Sequence, residues 1–411
     1  MEITALPVED RLVTLHKVTR QQPRLYARSK QYITGAKARI IFSLIGLQLF
    51  FQTLLKYHSV KESLMVLRRL STLRRLINDG KPVSRYVKAA GKYYYSMYVP
   101  GFPSRALTSM YDFEMERIKP RGKKNAYLRF AFLAVTRKCP LHCEHCFESE
   151  NLNGKELLAY SDLRSAIRSL KKAGAVQVFL SGGEPMVRLK DILKLAEEFH
   201  HEIDLWVLTS GFNASRENIF KLKQSGITGL FVSLDHHAES FHNIFRGSSS
   251  AFDNAQAAIK NARALDMPVA MSVCVTRSFA NENDLMKYAA LAKSLDASFI
   301  QLLEPKMTGN YSEKDILLQD EHKKVIEEFV YRINSEKQFK DYPIALYHGY
   351  QQRQVGCFAA GNRSLYIDSC GDILSCPFCH HKSGNILQGN FDDAIKAMRT
   401  IGCTDYKSAE I

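Results

Sequence analysis

The spacing of apolar residues changes character along the chain, and each change marks an expected structural unit. From 128 to about 340, short apolar runs alternate with longer amphipathic ones. The short runs at 128–136, 176–181, 203–209, 229–235, 268–276 and 297–304 read as buried strands. Segments 161–173, 189–201, 215–225, 251–265, 282–295 and 320–335 space their apolar residues helically, with start signals such as Ser161-Asp162 and Ser215 three positions before Asn218. Strand–helix alternation of this kind predicts a parallel α/β architecture. Residues 1–126 read instead as a mainly helical module, and 341–411 as a small Cys-rich α+β unit. There, Tyr366–Ile367 and Ile373–Leu374 flank Ser369 to Asp372 as a hairpin.

Within the first unit, residues 40–55 form a 16-residue apolar run that includes Ser43, Gln48, Gln52 and Thr53. It falls short of the ~20 residues a membrane-spanning helix needs. Next, 61–76 alternates Arg68-Arg69 and Arg74-Arg75 with leucines, an amphipathic basic helix. Aromatics follow at Tyr93, Tyr94, Tyr95, Tyr98 and Phe102, and Pro120 with Arg121 to Asn125 reads as a linker.

Charge sharpens this division. The net charge is +15, yet residues 1–126 alone carry 24 Lys and Arg against 8 Asp and Glu. All the basic excess therefore precedes the α/β region, as expected of a module with an anionic partner. An anionic membrane surface fits Arg pairs beside an apolar run. A helical unit packed on the α/β region with solvated arginines fits equally, and nucleic acid fits least. The N-terminal sequence lacks a basic stretch followed by an apolar one, so no signal peptide is expected. A cytoplasmic protein, peripheral at most to the inner face of a membrane, is the expectation.

The nine cysteines are clustered: Cys139, Cys143 and Cys146; Cys357, Cys370, Cys376 and Cys379; with Cys274 and Cys403 apart. Such groups in a large chain read as metal ligands rather than disulfides. The first group, C-x₃-C-x₂-C with Phe147 directly after, sits on a loop at the end of the first strand. Three convergent thiolates leave one iron of a four-iron cluster open. A zinc knuckle is the rival, although structural zinc favours four protein ligands. Ser181-Gly182-Gly183-Glu184-Pro185 ends the second strand. Its glycines permit a close backbone approach and its carboxylate can bind a cationic amino group.

At these residues the chain resembles the radical S-adenosylmethionine enzymes, over roughly Leu128 to Gly389. The resemblance implies a partial (β/α)6 TIM-like barrel with its site at the C-terminal strand ends. Cys139, Cys143 and Cys146 would hold a [4Fe–4S] cluster whose open iron chelates S-adenosylmethionine. Reductive cleavage would give a 5′-deoxyadenosyl radical that abstracts hydrogen from substrate, with flavodoxin or ferredoxin as one-electron donor. Gly182, Gly183 and Glu184 would meet the cofactor's ammonium, Phe147 its adenine, and Val275 and Thr276 the adenine pocket. Ser210, Ser233, Asp235 and Arg246 resemble further cofactor-binding positions, with Arg246 able to pair with the cofactor carboxylate. Glu304-Pro305-x₃-Gly309 resembles the Glu-Pro-x-x-x-Gly segment of SPASM-bearing relatives.

Cys357 and Gly371 to Cys376 resemble the opening of a SPASM or Twitch domain, with Cys376, Cys379 and Cys403 completing one auxiliary [4Fe–4S] cluster. Cys370 sits at a turn where that pattern needs no thiol, and zinc on the same four sulfurs is the rival. A peptide is the leading substrate class. A lipid or other membrane-held small molecule is the alternative, and a non-enzymatic Fe–S electron carrier is the second functional class. No catalytic side chain is singled out by the sequence.

Overall fold

A computed structural model describes residues 31–77, 85–122, 128–403 and 405–407. The linker expected at Arg121 to Asn125 and the boundary at 126/127 lie largely outside the described residues. The chain opens with β1 (Tyr32–Thr34), α1 (Gly35–Tyr57), α2 (Val60–Ile77), β2 (Arg85–Ala89), β3 (Lys92–Tyr94) and α3 (Arg105–Ile118). Helices are present as expected, and β1-β2-β3 add a small antiparallel sheet that the apolar pattern did not announce. The 16-residue run is embedded in α1, which at 23 residues is long enough and apolar enough to cross a membrane.

The α/β region follows as β4 (Phe130–Ala134), α4 (Tyr160–Lys172), β5 (Gln177–Ser181), α5 (Leu189–Phe199), β6 (Asp204–Thr209), α6 (Arg216–Ser225) and β7 (Gly229–Ser233). It continues through α7 (Glu239–Arg246), α8 (Ala251–Ala264), β8 (Val269–Cys274), α9 (Glu282–Ser294), β9 (Phe299–Leu303) and α10 (Asp320–Ser335). Then come β10 (Ile344–Tyr347), α11 (His348–Val355), β11 (Ser364–Ile367), β12 (Asp372–Cys376), β13 (Cys379–Asn385) and α12 (Phe391–Ile401). All six expected strands and six expected helices form. Local signals explain their ends: the Ser215 hydroxyl accepts the Asn218 N–H at 3.2 Å to start α6, and Gly226, at φ 100°, closes it.

The sheet runs β10-β9-β8-β7-β6-β5-β4-β11-β12-β13, parallel from β10 to β11 and antiparallel beyond. Six parallel strands thus gain one at each edge. Because β11 pairs with β4, the expected hairpin of β11 and β12 extends the barrel sheet itself. Helices α4 to α6 and α8 to α10 bury their apolar faces against one side of this sheet.

The other side closes inward around aromatic residues. Phe130, Phe179, Trp206, Phe231 and Phe299 point into the barrel and meet Tyr94, Met97 and Tyr98 from the first unit. The Tyr98 ring lies 5.2–5.8 Å from those of Phe130, Phe179 and Phe231, and its hydroxyl accepts a 2.5 Å bond from Gln301. Tyr94 and Tyr98 of the aromatic segment therefore plug the barrel base. The reason is area: burying such rings against other aromatics is worth more than leaving them at a surface.

Candidate active site

The loop bearing Cys139, Cys143 and Cys146 follows β4 and is held from three directions. From the end of β5, the Gly183 N–H donates to Thr136 O and the Glu184 N–H to Lys138 O, both at 2.8 Å. A β-carbon on Gly182 (φ 127°) would lie 2.5 Å from Thr136 O, and one on Gly183 would overlap Lys138 O. These glycines admit the cysteine loop's own backbone, where the sequence suggested approach by a ligand. From the end of α7, Phe245 O and Arg246 O accept the N–H groups of Glu144 (2.9 Å) and His142 (3.2 Å), while the Phe245 ring stacks 4.5 Å from that of His145. After β9, Asn310 N–H and Nδ2 donate to Cys146 O and Cys143 O, both at 3.0 Å, and Tyr311 OH donates to Glu144 at 2.9 Å. Gly309 (φ 56°) permits that third contact, since a β-carbon there would overlap Cys146 O.

The charged groups expected near a cofactor converge beside this loop. Glu184 is buried and its carboxylate accepts four bonds: from Met186 N (3.0 Å), Thr209 Oγ1 (2.8 Å), Ser210 N (2.8 Å) and Ser210 Oγ (2.5 Å). Burial raises its pKa despite these donors. Ser210 is thus a direct partner of Glu184. Asp235 accepts from Cys274 N at 2.9 Å and from Arg246 Nε at 2.5 Å. Burial is the largest single influence and opposes ionisation of Asp235, but Arg246, His145, His242 and the Cys274 N–H together outweigh it and lower its pKa.

Arg246, expected to be able to pair with a cofactor carboxylate, is buried and ion-paired to Asp235, with Nη1 3.6 Å from Cys143 Sγ. Ser233 lines the cavity described below. The Phe147 ring sits 6.1 Å from Tyr366 and 5.7 Å from Phe378, so it faces the C-terminal segment. Val275 is fully buried, and neither it nor Thr276 lines the cavity. Glu304 accepts 2.6 Å bonds from Tyr347 OH and Arg353 Nη1; burial works against its charge, and these donors hold its pKa down.

The second sulfur group is assembled from separate elements: Cys357 after α11, Cys376 and Cys379 at the β12–β13 turn, and Cys403 after α12. Cys357 and Cys403 share a hydrogen bond, and Cys376 lies within electrostatic reach of Cys379 and Cys403. The Cys370 thiol contacts Asn151 Oδ1 at 3.5 Å and stays outside this group. Burial pushes the thiols of Cys139, Cys146 and Cys376 up to about 11, 12 and 12, so each would ionise only against a strong positive partner.

Among the described residues, three metal-capable side chains gather within 4.8 Å only at His236, His237 and Asp284. The Cys139, Cys143 and Cys146 sulfurs come from one loop and line one cavity, a soft three-thiolate donor set of the kind an iron–sulfur cluster takes. The histidine group was not foreseen as a unit. Its members are already partnered: His237 Nε2 lies 2.9 Å from Asp284 Oδ1, and His236 Nδ1 accepts the Ala238 N–H at 2.9 Å.

One cavity of about 2200 Å³ reaches both sulfur groups. It is lined by Cys139, Cys143 and Cys146, by Gly182 to Glu184, and by Cys357, Cys376, Cys379 and Cys403. It continues along Phe130, Phe132 and Tyr98 to α1 and α2.

Comparison with known proteins agrees with this geometry. Residues 133–292 match the Radical SAM superfamily. The AdoMet-dependent heme synthase of Methanosarcina barkeri is 26% identical over 282 residues, spanning 62% of this chain and 79% of the relative. The PqqA peptide cyclase of Bradyrhizobium diazoefficiens is 26% identical over 255 residues, 59% of this chain and 65% of the relative. Among solved structures, Streptococcus suis SuiB bound to precursor peptide SuiA shares the fold with a TM-score of 0.56 at 14% identity, covering 84% of this chain and 80% of that one. AnSMEcpe with bound AdoMet gives a TM-score of 0.50 at 16% identity, covering 65% of this chain and 81% of that one. With the cysteine loop, the glycine–glutamate segment and the barrel in place, the chain belongs to the radical SAM superfamily and is an enzyme of that class.

Proposed function

We propose that the cysteine loop and the C-terminal sulfur group serve one reaction: hydrogen abstraction from a substrate held in the shared cavity. Cys139, Cys143 and Cys146 would hold the catalytic [4Fe–4S] cluster, and Cys357, Cys376, Cys379 and Cys403 an auxiliary one. When bound, the catalytic cluster and S-adenosylmethionine supply reductive cleavage of the sulfonium and a 5′-deoxyadenosyl radical. This chain's residues prepare the site. Glu184 places a fixed negative charge beside Cys139, suited to the cofactor's ammonium, and its four donors prevent it from rotating away. Arg246, locked by Asp235, sets a positive charge 3.6 Å from Cys143 Sγ. Ser210 and Thr209 orient Glu184. Ser233 lines the cavity, and Phe147 closes the loop against Phe378.

The observation that carries this reading is the convergence of three supports, two of them dependent on glycine, on a three-sulfur loop that opens into a cavity shared with four more sulfurs. A one-electron donor such as flavodoxin or ferredoxin would supply the reductant. Among similar proteins, the PqqA peptide cyclase and SuiB, bound to precursor peptide SuiA, are named with peptides, while the substrate class of this chain rests on its own cavity. The basic helix α2 beside α1 supports peripheral contact with an anionic membrane, and nothing in the site favours nucleic acid. Incubating the anaerobically reconstituted, reduced protein with S-adenosylmethionine is the test. The expected products are methionine and 5′-deoxyadenosine, and a fully iron-loaded protein that yields neither would overturn the reading.

A further inference from the structure

The hydrophobic stripe on α1 and the long cavity belong to one arrangement. Ile40, Leu44, Leu47, Phe51 and Leu55 are 60%, 47%, 53%, 53% and 74% exposed and recur at helical spacing. The opposite side of α1 is tied to α3: Gln48 to Thr108 at 2.9 Å, Gln52 to Thr108 O at 2.8 Å, and Lys56 to Asp112 at 2.7 Å. Bonds along that length hold α1 flat on the protein with its stripe outward, the attitude of a helix lying in a membrane interface. Lys37, Arg39, Arg68, Arg69 and Arg75 are exposed on α1 and α2, which complements an anionic bilayer.

Beneath this pair lies the open side of the barrel. Helix α2 packs on α11, next to edge strand β10, and on α3. In turn, α3 reaches the other edge through Glu114, which binds Arg363 beside β11 at 2.8 Å. The cavity runs through this gap: Leu49 of α1 and Leu67 and Leu70 of α2 line it, as do Tyr95, Val99 and Met110 farther in. At the same end, the Arg74 guanidinium lies 4.4 Å from the centre of the Phe42 ring, and both residues line the cavity.

We infer that this gap is a lateral entrance, and that the substrate is an anionic membrane lipid whose apolar chain lies in the corridor from the α1–α2 hairpin to the cysteine loop. Resting on the radical reading of the same site, this assigns the substrate class. Leu49, Leu67, Leu70, Val99 and Met110 along this path suit an apolar chain, and Arg74 and Arg75, which also line it, suit an anionic head.

The test uses the full-length protein with phosphatidylglycerol vesicles containing a phosphatidylglycerol that bears a diazirine in mid-chain. After photolysis, lipid adducts are mapped by mass spectrometry. Adducts are expected on corridor residues such as Leu70, Val99 and Met110, with pelleting much reduced on phosphatidylcholine vesicles. Gly46 lines the cavity and a β-carbon there would meet nothing within 4 Å, so Gly46→Trp sets a bulky ring at the mouth from an unobstructed β-carbon. It should lower corridor adducts several-fold while pelleting and substrate-free cofactor cleavage persist. Protein that pellets with adducts confined to the outer stripe would overturn the inference and favour a polar substrate such as a peptide. Failure to pellet would overturn it too. Corridor adducts in a protein unable to cleave S-adenosylmethionine would instead overturn the radical reading and leave the lipid site standing.

Discussion

The two sulfur groups are built in opposite ways. Cys139, Cys143 and Cys146 lie within eight consecutive residues, and their loop takes its shape from outside, through backbone bonds from the ends of β5 and α7 and from the turn after β9. Cys357, Cys376, Cys379 and Cys403 are each placed by a separate element end, and the fold alone brings Cys357 to Cys403. The first group offers three sulfurs and an adjoining carboxylate; the second offers four sulfurs. Three ligands leave a four-iron cluster open for a cofactor, whereas four close it. Under the proposed function, the contrast in ligand count would separate a reactive site from an electron-handling or structural one.

The largest expected effect breaks this contrast at its root. Replacing Cys139, Cys143 and Cys146 together by Ala should remove all cleavage of S-adenosylmethionine yet retain the iron of the second group. Iron content and product analysis check this; unchanged iron with intact cleavage would end the assignment. Next in size, Cys403→Ala should strip iron from the second group, while Cys370→Ala should leave it, as its thiol faces Asn151. Equal iron loss in both variants would place Cys370 among the ligands.

A smaller effect sharpens the idea that the first loop is shaped from outside. Gly309→Ala forces a side chain into left-handed backbone, costing about 1–2 kcal/mol, and into overlap with Cys146 O. Iron should fall at the first group alone, read by the spectrum of the reduced protein, while Gly46→Ala, in open space, should change nothing. Smallest is Glu184→Gln. Loss of a charged hydrogen bond costs about 1.5–3 kcal/mol, roughly tenfold or more in affinity for the cofactor. Because the Gln amide nitrogen would face donors from Met186, Thr209 or Ser210, the melting temperature should fall as well. A titration with unaltered affinity would remove Glu184 from the cofactor site.

Much of this was legible because it is local. The six strands and six helices of the α/β region follow from the spacing of apolar residues, which depends on neighbours within a few positions. The cysteine loop and the Gly-Gly-Glu segment were legible as motifs, but the purpose of their glycines was not. One part they play, close contact between backbones on different strand ends, is visible only once β4 and β5 are paired.

The sequence by itself determined the alternation of strands and helices, the clustering of the cysteines, and the basic, apolar character of residues 40–76. Tertiary structure alone decided that Tyr94 and Tyr98 plug the barrel base, that Arg246 pairs with Asp235 rather than meeting solvent, and that β10 and β11 flank the six expected parallel strands. It also decided that one face of α1 is held by α3 and the other left open. The reason is physical. An exposed ring and a buried ring, or a solvated and a paired arginine, carry the same local pattern. The difference lies in what the closed chain brings against them from far along the sequence, where loop closure and burial set the balance.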